Sequence, residues 1–426
     1  MATNIKTVSE VEQINRIRQS KIIKEISDKD VSVIFEDPLD NDMILNMGPQ
    51  HPATHGVLRV LLRLDGEVIV KCVPELGYLH RGYEKIAENM TYHDFIPYSD
   101  RMDYLSPLAN NVAIALAIDN ALGIEAPPRA TWIRTLVFEL ARISSHLMAM
   151  GSTAMDVGAL TLFLWTFVER EKLYDIFERI AGARFTTSYA RIGGVANDID
   201  EETFKMLRKW AEEFPAELEK MGKLAHRNRI FIDRMAGIGV IDTDKCIKLG
   251  ITGPIIRATG MPKDLRRDNP YLIYDELDFD VITYPDGDVW SRYMVRVDEM
   301  KESLKMVFQI LDKMPEGEVK LKNTKAVLPS KKDIYTKMEE LISDFMLINF
   351  GAAPEPGETY TAVEASKGEL GFFIVSDGTG HPWRMKIRSP SASNLQGLSH
   401  MAEGSMIADI VAIIGTIDPI MGEADK

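Results

Sequence analysis

Between Thr131 and Ile232, apolar residues recur at helical spacing in three long runs: Thr131–Met150, Leu162–Ile180 and Glu202–Ile232. Pro127-Pro128 marks the entry to the first run. Strand-like segments lie on either side. Val57–Leu64 and Glu67–Val73 flank Asp65-Gly66, and a DG pair between apolar runs is the strongest short-range hairpin signal. Near the C-terminus, Thr361–Ala365, Gly371–Ser376 and Trp383–Arg388 read as strands. They are separated by Lys367-Gly368 and by Asp377-Gly378-Thr379-Gly380. Helix is expected again over Gly397–Ile414. Helices in the middle and strands at both ends leave few architectures. The simplest is an α+β fold: a central helical bundle with β elements from the N- and C-terminal regions. The chain then divides into an arm at 1–41, a β-rich region at 42–110, the bundle at 111–350 and a β/α region at 351–426.

The arm stands apart. Apolar residues from Val8 to Ile26 and a Ser9-x-x-Glu12 capping box predict an amphipathic helix over Thr7–Ile26, packed on a partner. The arm is too acidic for a transit peptide. A net charge of -14 without a basic run argues against nucleic acid as a partner. The longest apolar stretch, Val157–Val168, has about 12 residues where a spanning helix needs about 20. It reads as a buried core helix. The chain has two cysteines, Cys72 and Cys246, and no CxxC pair. That excludes a disulfide scaffold, and it excludes a cysteine-held zinc or iron–sulfur site on this chain alone.

One loop raises a functional question. GPQHPATHG, residues 48–56, carries two of the chain's eight histidines, four residues apart. A metal site, a proton-handling loop and an ordinary turn compete. Gly48, Pro49, Pro52 and Gly56 oppose the helix that would put both imidazoles on one face, and no Glu follows His51, which weakens the metal reading. Gly and Pro alone explain a turn. Imidazole suits proton exchange near neutrality because its reference pKa is about 6.5.

Three further stretches bear on the choice: GYLHRGYEKIAENMTYHDFIPYSDRMDYLSP at 77–107, MDVGALTLFLWTFVEREKLYDIFERIAGARFTTSYARIGGV at 155–195, and DPIMGEADK at 418–426. Together with GPQHPATHGVLR they resemble the 49 kDa or D subunit of respiratory NADH:quinone oxidoreductase (complex I), from about residue 43 to the end. That family is similar to the large subunit of nickel–iron hydrogenases. Those enzymes hold their metals with two cysteine pairs. Here Asp103, Ser106, Ile420 and Glu423 stand at the four thiolate positions. Soft metals need thiolates, so the resemblance implies a cavity without nickel, used for a quinone headgroup. It implies that His55 faces the headgroup, that Tyr104 hydrogen-bonds a quinone carbonyl and that Asp156 partners the histidine. It also implies that His51 lines the cavity and that Arg81 and Arg101 lie near a terminal iron–sulfur cluster. The chemistry is coherent by itself, since quinone reduction takes two electrons and two protons, and a phenol and an imidazole can supply the protons. Taken singly, a Tyr is usually a core residue and an Asp after a helix a cap. His80, His146, Glu84 and Glu88 read as structural, and Leu162, Trp165, Val168 and Leu173 as a core stripe.

One departure matters. Many family members carry a histidine two residues after the GAR triplet. After Gly182-Ala183-Arg184 this chain has Thr186 there, also counted as cluster-adjacent, which fits a low-potential, menaquinone-type or otherwise specialised chain. The resemblance implies no cofactor bound by this chain alone, quinone as substrate and the cluster on a partner subunit. Other partners are further peripheral-arm subunits and a membrane-arm subunit at the quinone entrance. The chain is expected to be peripheral, on the cytoplasmic side of a bacterial membrane or the matrix side of a mitochondrial one. A subunit fed by ferredoxin or deazaflavin would keep the same pocket. A non-catalytic scaffold would not need the proton groups.

Overall fold

The computed structural model describes residues 43–322 and 325–426, so the expected helix of the arm lies outside the described residues. The described residues open with an antiparallel sheet, β1 (Met43–Met47), β2 (Arg59–Asp65) and β3 (Val68–Glu75), in the order β1-β2-β3. The Asp65-Gly66 turn closes the β2–β3 hairpin as expected, pairing Asp65 with Val68, and Gly66 takes φ +60. Val60, Leu62 and Leu64 point inward from β2.

The helical middle follows: α1 (Tyr92–Ser99), α2 (Pro107–Leu122), α3 (Pro128–Asp156), α4 (Leu160–Ala181), α5 (Glu201–Ala225) and α6 (Val289–Lys313). Pro107 and Pro128 occupy first-turn positions, where a missing N–H costs nothing. α3 is the axis of the molecule and is buried along almost its whole length. Ile133, Leu136, Leu140, Ile143 and Leu147 are fully enclosed, and each such side chain contributes about 1.5–3 kcal/mol. α2, α4 and α6 pack around it. A two-stranded ribbon, β4 (Ala190–Arg191) with β5 (Gly194–Val195), lies after α4. The C-terminal sheet is β6 (Gly357–Ala365), β7 (Gly368–Ser376) and β8 (Arg384–Arg388), antiparallel in chain order. A further buried helix, α7 (Ile410–Ile417), packs on α3 and α6. The architecture is α+β. Among the described residues, no helix is long and apolar enough to cross a membrane.

Three expectations need correction. The run Glu202–Ile232 is not one helix. α5 stops at Ala225, and Asn228 caps a new turn by accepting from the Ile230 and Phe231 N–H groups. The stretch Gly397–Ile414 is likewise broken. Gly404 takes φ +83 and donates its N–H to the Ile69 carbonyl on β3, so pairing with the first sheet outcompetes helix there. Finally, Val157–Val168 is not fully buried. α4 buries Leu162 and Leu173, but Leu160, Leu164 and Val168 follow one another at four-residue spacing and are 54–58% exposed. Val168 therefore leaves the expected core stripe.

Candidate functional site

The two histidines of the opening loop do different work. Gly48 takes φ +95, and a Cβ there would lie 2.0 Å from the Leu58 carbonyl oxygen, so the loop entry demands glycine. A short 3-10 turn, Pro52–Thr54, follows. His51 caps it: its Nδ1 accepts the Ala53 N–H at 3.2 Å, and its ring is exposed. The Thr54 hydroxyl donates to the His51 carbonyl at 2.7 Å. His55 leaves the turn in the left-handed region, φ 53, an uncommon conformation for a non-glycine residue. There its ring reaches Asp156 at the end of α3, with Nε2 to Oδ2 at 2.5 Å. The pair is mostly shielded, with side chains 14% and 7% exposed. Gly415 of α7 permits this approach, since a Cβ would sit 2.8 Å from Asp156 Oδ2 and 3.6 Å from His55 Nε2.

Burial works against a charged His55 ring. The hydrogen bond and charge of Asp156, helped by the charge of Asp418, outweigh it and hold the imidazole above its usual pKa. Tyr104 lies in the turn between α1 and α2. Its ring tilts against Phe185 at 6.4 Å. Burial, then the charge of Asp103, pushes the phenol up, so it keeps its proton and can donate.

His55, Tyr104 and Asp156 line one cavity of about 230 Å³. Pro52, Ser152 and Asp418 join them, with an apolar wall that includes Leu105, Met148, Met155, Phe163 and Ile420. His51 is not among the lining residues. A larger groove of about 870 Å³ runs between α5 and α6. It gathers scattered surface charges but no buried pair, whereas the smaller cavity collects an imidazole, a phenol and two carboxylates. Convergent titratable groups mark a site better than volume does.

Arg81 and Arg101 sit elsewhere, on an exposed face around Tyr83. The Arg81 guanidinium lies 5.6 Å from the Tyr83 ring centroid. The Tyr83 hydroxyl donates to the Arg101 carbonyl at 3.2 Å, and Arg101 Nη1 donates to the Pro97 carbonyl at 2.6 Å. Thr186 is half-buried beside Phe185, the residue that meets Tyr104. The remaining acids and histidines have structural partners: His80 with the Asp425 carbonyl, His146 with Glu299, Glu84 with Lys386 and Glu88 with Lys85. Among the described residues, no three His, Cys, Asp or Glu side chains come together where a metal could sit.

Sequence reasoning assigned no role to Asp418, which lines the cavity, or to Lys367, whose ammonium lies 3.2 Å from Asp418 Oδ2. The only signal was a lysine in a turn between two apolar strands, which ordinarily means an exposed hairpin.

Comparison with known proteins adds to this geometry. Residues 156–426 match the family model described as respiratory-chain NADH dehydrogenase, 49 Kd subunit. The chain is 54% identical over 413 residues to the D 1 subunit of NADH-quinone oxidoreductase from Chloroherpeton thalassium, covering 96% of this chain and 94% of that protein. It is 52% identical over 391 residues to the D subunit of the Salinibacter ruber enzyme, covering 92% and 87%. It is 47% identical over 390 residues to the D subunit of the Akkermansia muciniphila enzyme, covering 92% and 94%. Fold and relatives together define a class: an α+β subunit of a multi-subunit oxidoreductase. Within that class, the chain belongs to the 49 kDa or D subunit family of NADH-quinone oxidoreductase, complex I.

Proposed function

We propose that this chain forms the headgroup end of the quinone cavity in a proton-translocating NADH:quinone oxidoreductase. It supplies proton donors for the two-electron reduction of quinone to quinol. The observation that carries the reading is the convergence of a protonated phenol and a carboxylate-backed imidazole on one small, largely apolar cavity. Tyr104 donates to one quinone carbonyl. His55 offers a proton to a quinone oxygen, and Asp156 fixes its tautomer and favours its charged form. The apolar wall limits water, which strengthens these interactions.

A cavity of about 230 Å³ is smaller than the roughly 300–1,000 Å³ of a complete small-molecule site. Its other walls belong to partner subunits: one carrying the terminal iron–sulfur cluster, which delivers the electrons, and a membrane-arm subunit at the quinone entrance. Arg81, Arg101 and Thr186 form the cluster-facing surface, and His51 caps the turn whose Pro52 lines the cavity. The chain is peripheral, on the cytoplasmic or matrix side. Its architecture is that of nickel–iron hydrogenase large subunits, with Asp103, Ser106, Ile420 and Glu423 replacing the thiolates.

The test is a pH profile of quinone reduction by the assembled complex. Because the pKa of His55 is raised, it holds its proton to higher pH than a free imidazole does, and loses it as pH climbs through that raised value. Activity should fall on the alkaline side. Asp156→Asn removes the charge that raises it, so the alkaline limb should move to lower pH by about one unit or more. A profile that stays in place would remove His55 as the proton source.

Thr186 gives a second expectation. A histidine beside a cluster holds its proton more tightly once the cluster is reduced, so the midpoint falls as pH rises, by up to about 59 mV per unit for one electron and one proton. Threonine has no such titration. The partner's cluster should show a low potential, nearly flat between pH 6 and 8, and Thr186→His should raise it and introduce a slope. His146 does not take over this role, because burial pushes its pKa down to about 4 and keeps it neutral across that range. Redox titration of the cluster signal at several pH values decides, and a steep slope in the parent would end the role given to Thr186.

A further inference from the structure

Lys367 lies in the turn joining β6 to β7, where a lysine normally points to solvent, yet it is 1% exposed. The turn is pressed against the segment at residues 252–253. A Cβ on Gly368 would meet Thr252 Oγ1 at 2.6 Å and the Gly253 nitrogen at 3.0 Å. The side chain therefore runs inward. An ammonium taken out of water is costly unless paired and hydrogen-bonded, and this one is both. Nζ donates to Ser145 Oγ at 2.7 Å and lies 3.2 Å from Asp418 Oδ2 and 3.4 Å from Asp103 Oδ2. Glu423 is the next carboxylate to act on it.

The two contacted acids are not ordinary counterions. Asp103 immediately precedes Tyr104, and its Oδ1 accepts the Leu105 N–H at 3.1 Å, so it holds the backbone on both sides of the phenol. Asp418 caps α7 in the left-handed region, lines the cavity and acts on His55. Arg170 and Arg296 act on these acids through charge alone, Arg170 on both and Arg296 on Asp418, while their hydrogen bonds go elsewhere: Arg170 donates to Tyr174 and Ser144, and Arg296 to the carbonyls of Arg292 and Thr416. Among the described residues, Lys367 is the cation in ion-pair contact with both Asp103 and Asp418.

We infer that Lys367 is a positioning residue of the cavity, fixing through Asp103 and Asp418 where the Tyr104 phenol points and what charge faces His55. This rests on the quinone-cavity reading and deepens it. The ammonium also sets the protonation of its neighbours. Burial pushes Asp103 up against the pull of Lys367, and burial with the charge of Asp103 pushes Glu423 up to about 7. Without the ammonium these acids bind protons more tightly. The acid limb of quinone reduction then moves to higher pH, because a cation this close lowers a carboxylate pKa by about 1–3 units.

The experiment compares Lys367→Met, Lys367→Arg, Lys367→Met with Asp103→Asn, and Tyr104→Phe in the assembled complex. Quinone reduction is followed from pH 5.5 to 9 and normalised to NADH oxidation by an artificial acceptor, which counts assembled complex. Lys367→Met is expected to lose about tenfold or more at neutral pH, raise the quinone KM and shift the acid limb alkaline by about 1–3 pH units. Lys367→Arg keeps the charge, and the double variant removes a cation and an anion together while Asn retains the acceptor for Leu105. Both should return the limb to its parental position. If Lys367→Met does not assemble, these two variants decide alone, and a displaced limb in either overturns the inference. A uniform loss with no movement of the limb would mean packing only and also overturns it. Parental rates in Lys367→Met beside an impaired Tyr104→Phe would sink Lys367 alone, whereas parental rates in both would sink the cavity reading and the inference with it.

Discussion

Tyr104→Phe is expected to lower quinone reduction about a hundredfold while the complex still assembles. The change removes one oxygen. The ring keeps its place against Phe185 at 6.4 Å, and the loop keeps its anchor from Asp103 to the Leu105 N–H. What is lost is a donor aimed at an oxygen that gains negative charge as the quinone is reduced. Such a donor in a water-poor site is worth roughly 3 kcal/mol, and each 1.4 kcal/mol is about tenfold in rate. The half-buried Tyr104 phenol stays protonated across the working pH range, so the loss should be nearly independent of pH. That separates it from Asp156→Asn, whose effect moves with pH. His55→Ala should cost less, because a water can take the place of a lost imidazole. The measurement is steady-state reduction of the native quinone, normalised to artificial-acceptor activity. A Tyr104→Phe complex working at the parental rate would make Tyr104 a structural residue.

The long elements were readable because each carries its own signal. The helical runs that became α3 and α4 repeat apolar residues over many turns, and the Asp65-Gly66 turn sits between two clear strands. Short-range signals failed where a distant partner decided the local conformation. The break at Gly404 exists because its N–H meets the Ile69 carbonyl, 335 residues away in sequence. Nothing in the spacing of Gly397–Ile414 announces that bond. The cavity was beyond local reading for the same reason. His55, Tyr104 and Asp156 come from a turn, a loop and a helix end, and only the packing of α7 on α3 and on the 3-10 turn brings them together. Resemblance to a known family singled them out, but it gave no sign of Lys367. A Lys-Gly turn reads as solvent-exposed unless one knows that residues 252–253 press on it.

Glu139→Ala should have the largest effect on stability, and it touches no cavity residue. Glu139 is fully buried in the middle of α3. It accepts from Arg142 Nε at 3.1 Å, Arg266 Nη1 at 3.4 Å, the Tyr274 hydroxyl at 2.5 Å and the Ser303 hydroxyl at 2.6 Å. Burial alone would raise its pKa, but the two guanidiniums, with the Ser303 and Tyr274 hydrogen bonds, outweigh burial and hold it below the usual carboxylate range. A depressed carboxylate stabilises the fold above its unfolded pKa of about 4.3. That contribution disappears only as pH falls through the lower folded value, so it is fully present wherever the complex works. Removing the carboxylate leaves Arg142 and Arg266 buried beside each other, and breaking one side of a buried ion pair costs about 3–5 kcal/mol. Whole domains hold only about 5–15 kcal/mol. The network also joins α3 to α6 through Ser303, and Arg266 pairs onward with Asp264 at 2.7 Å. Loosening it frees the helix whose last residue is Asp156. The expected result is little assembled complex and early thermal inactivation of what remains, with Glu139→Gln intermediate because its one amide oxygen keeps an acceptor for either Tyr274 or Ser303 while the charge is lost. Yield and thermal midpoint of the purified complex are the readouts. Parental values for Glu139→Ala would mean that water or a rearranged neighbour replaces the carboxylate, and that this buried charge cluster does not hold α3 in register with the site.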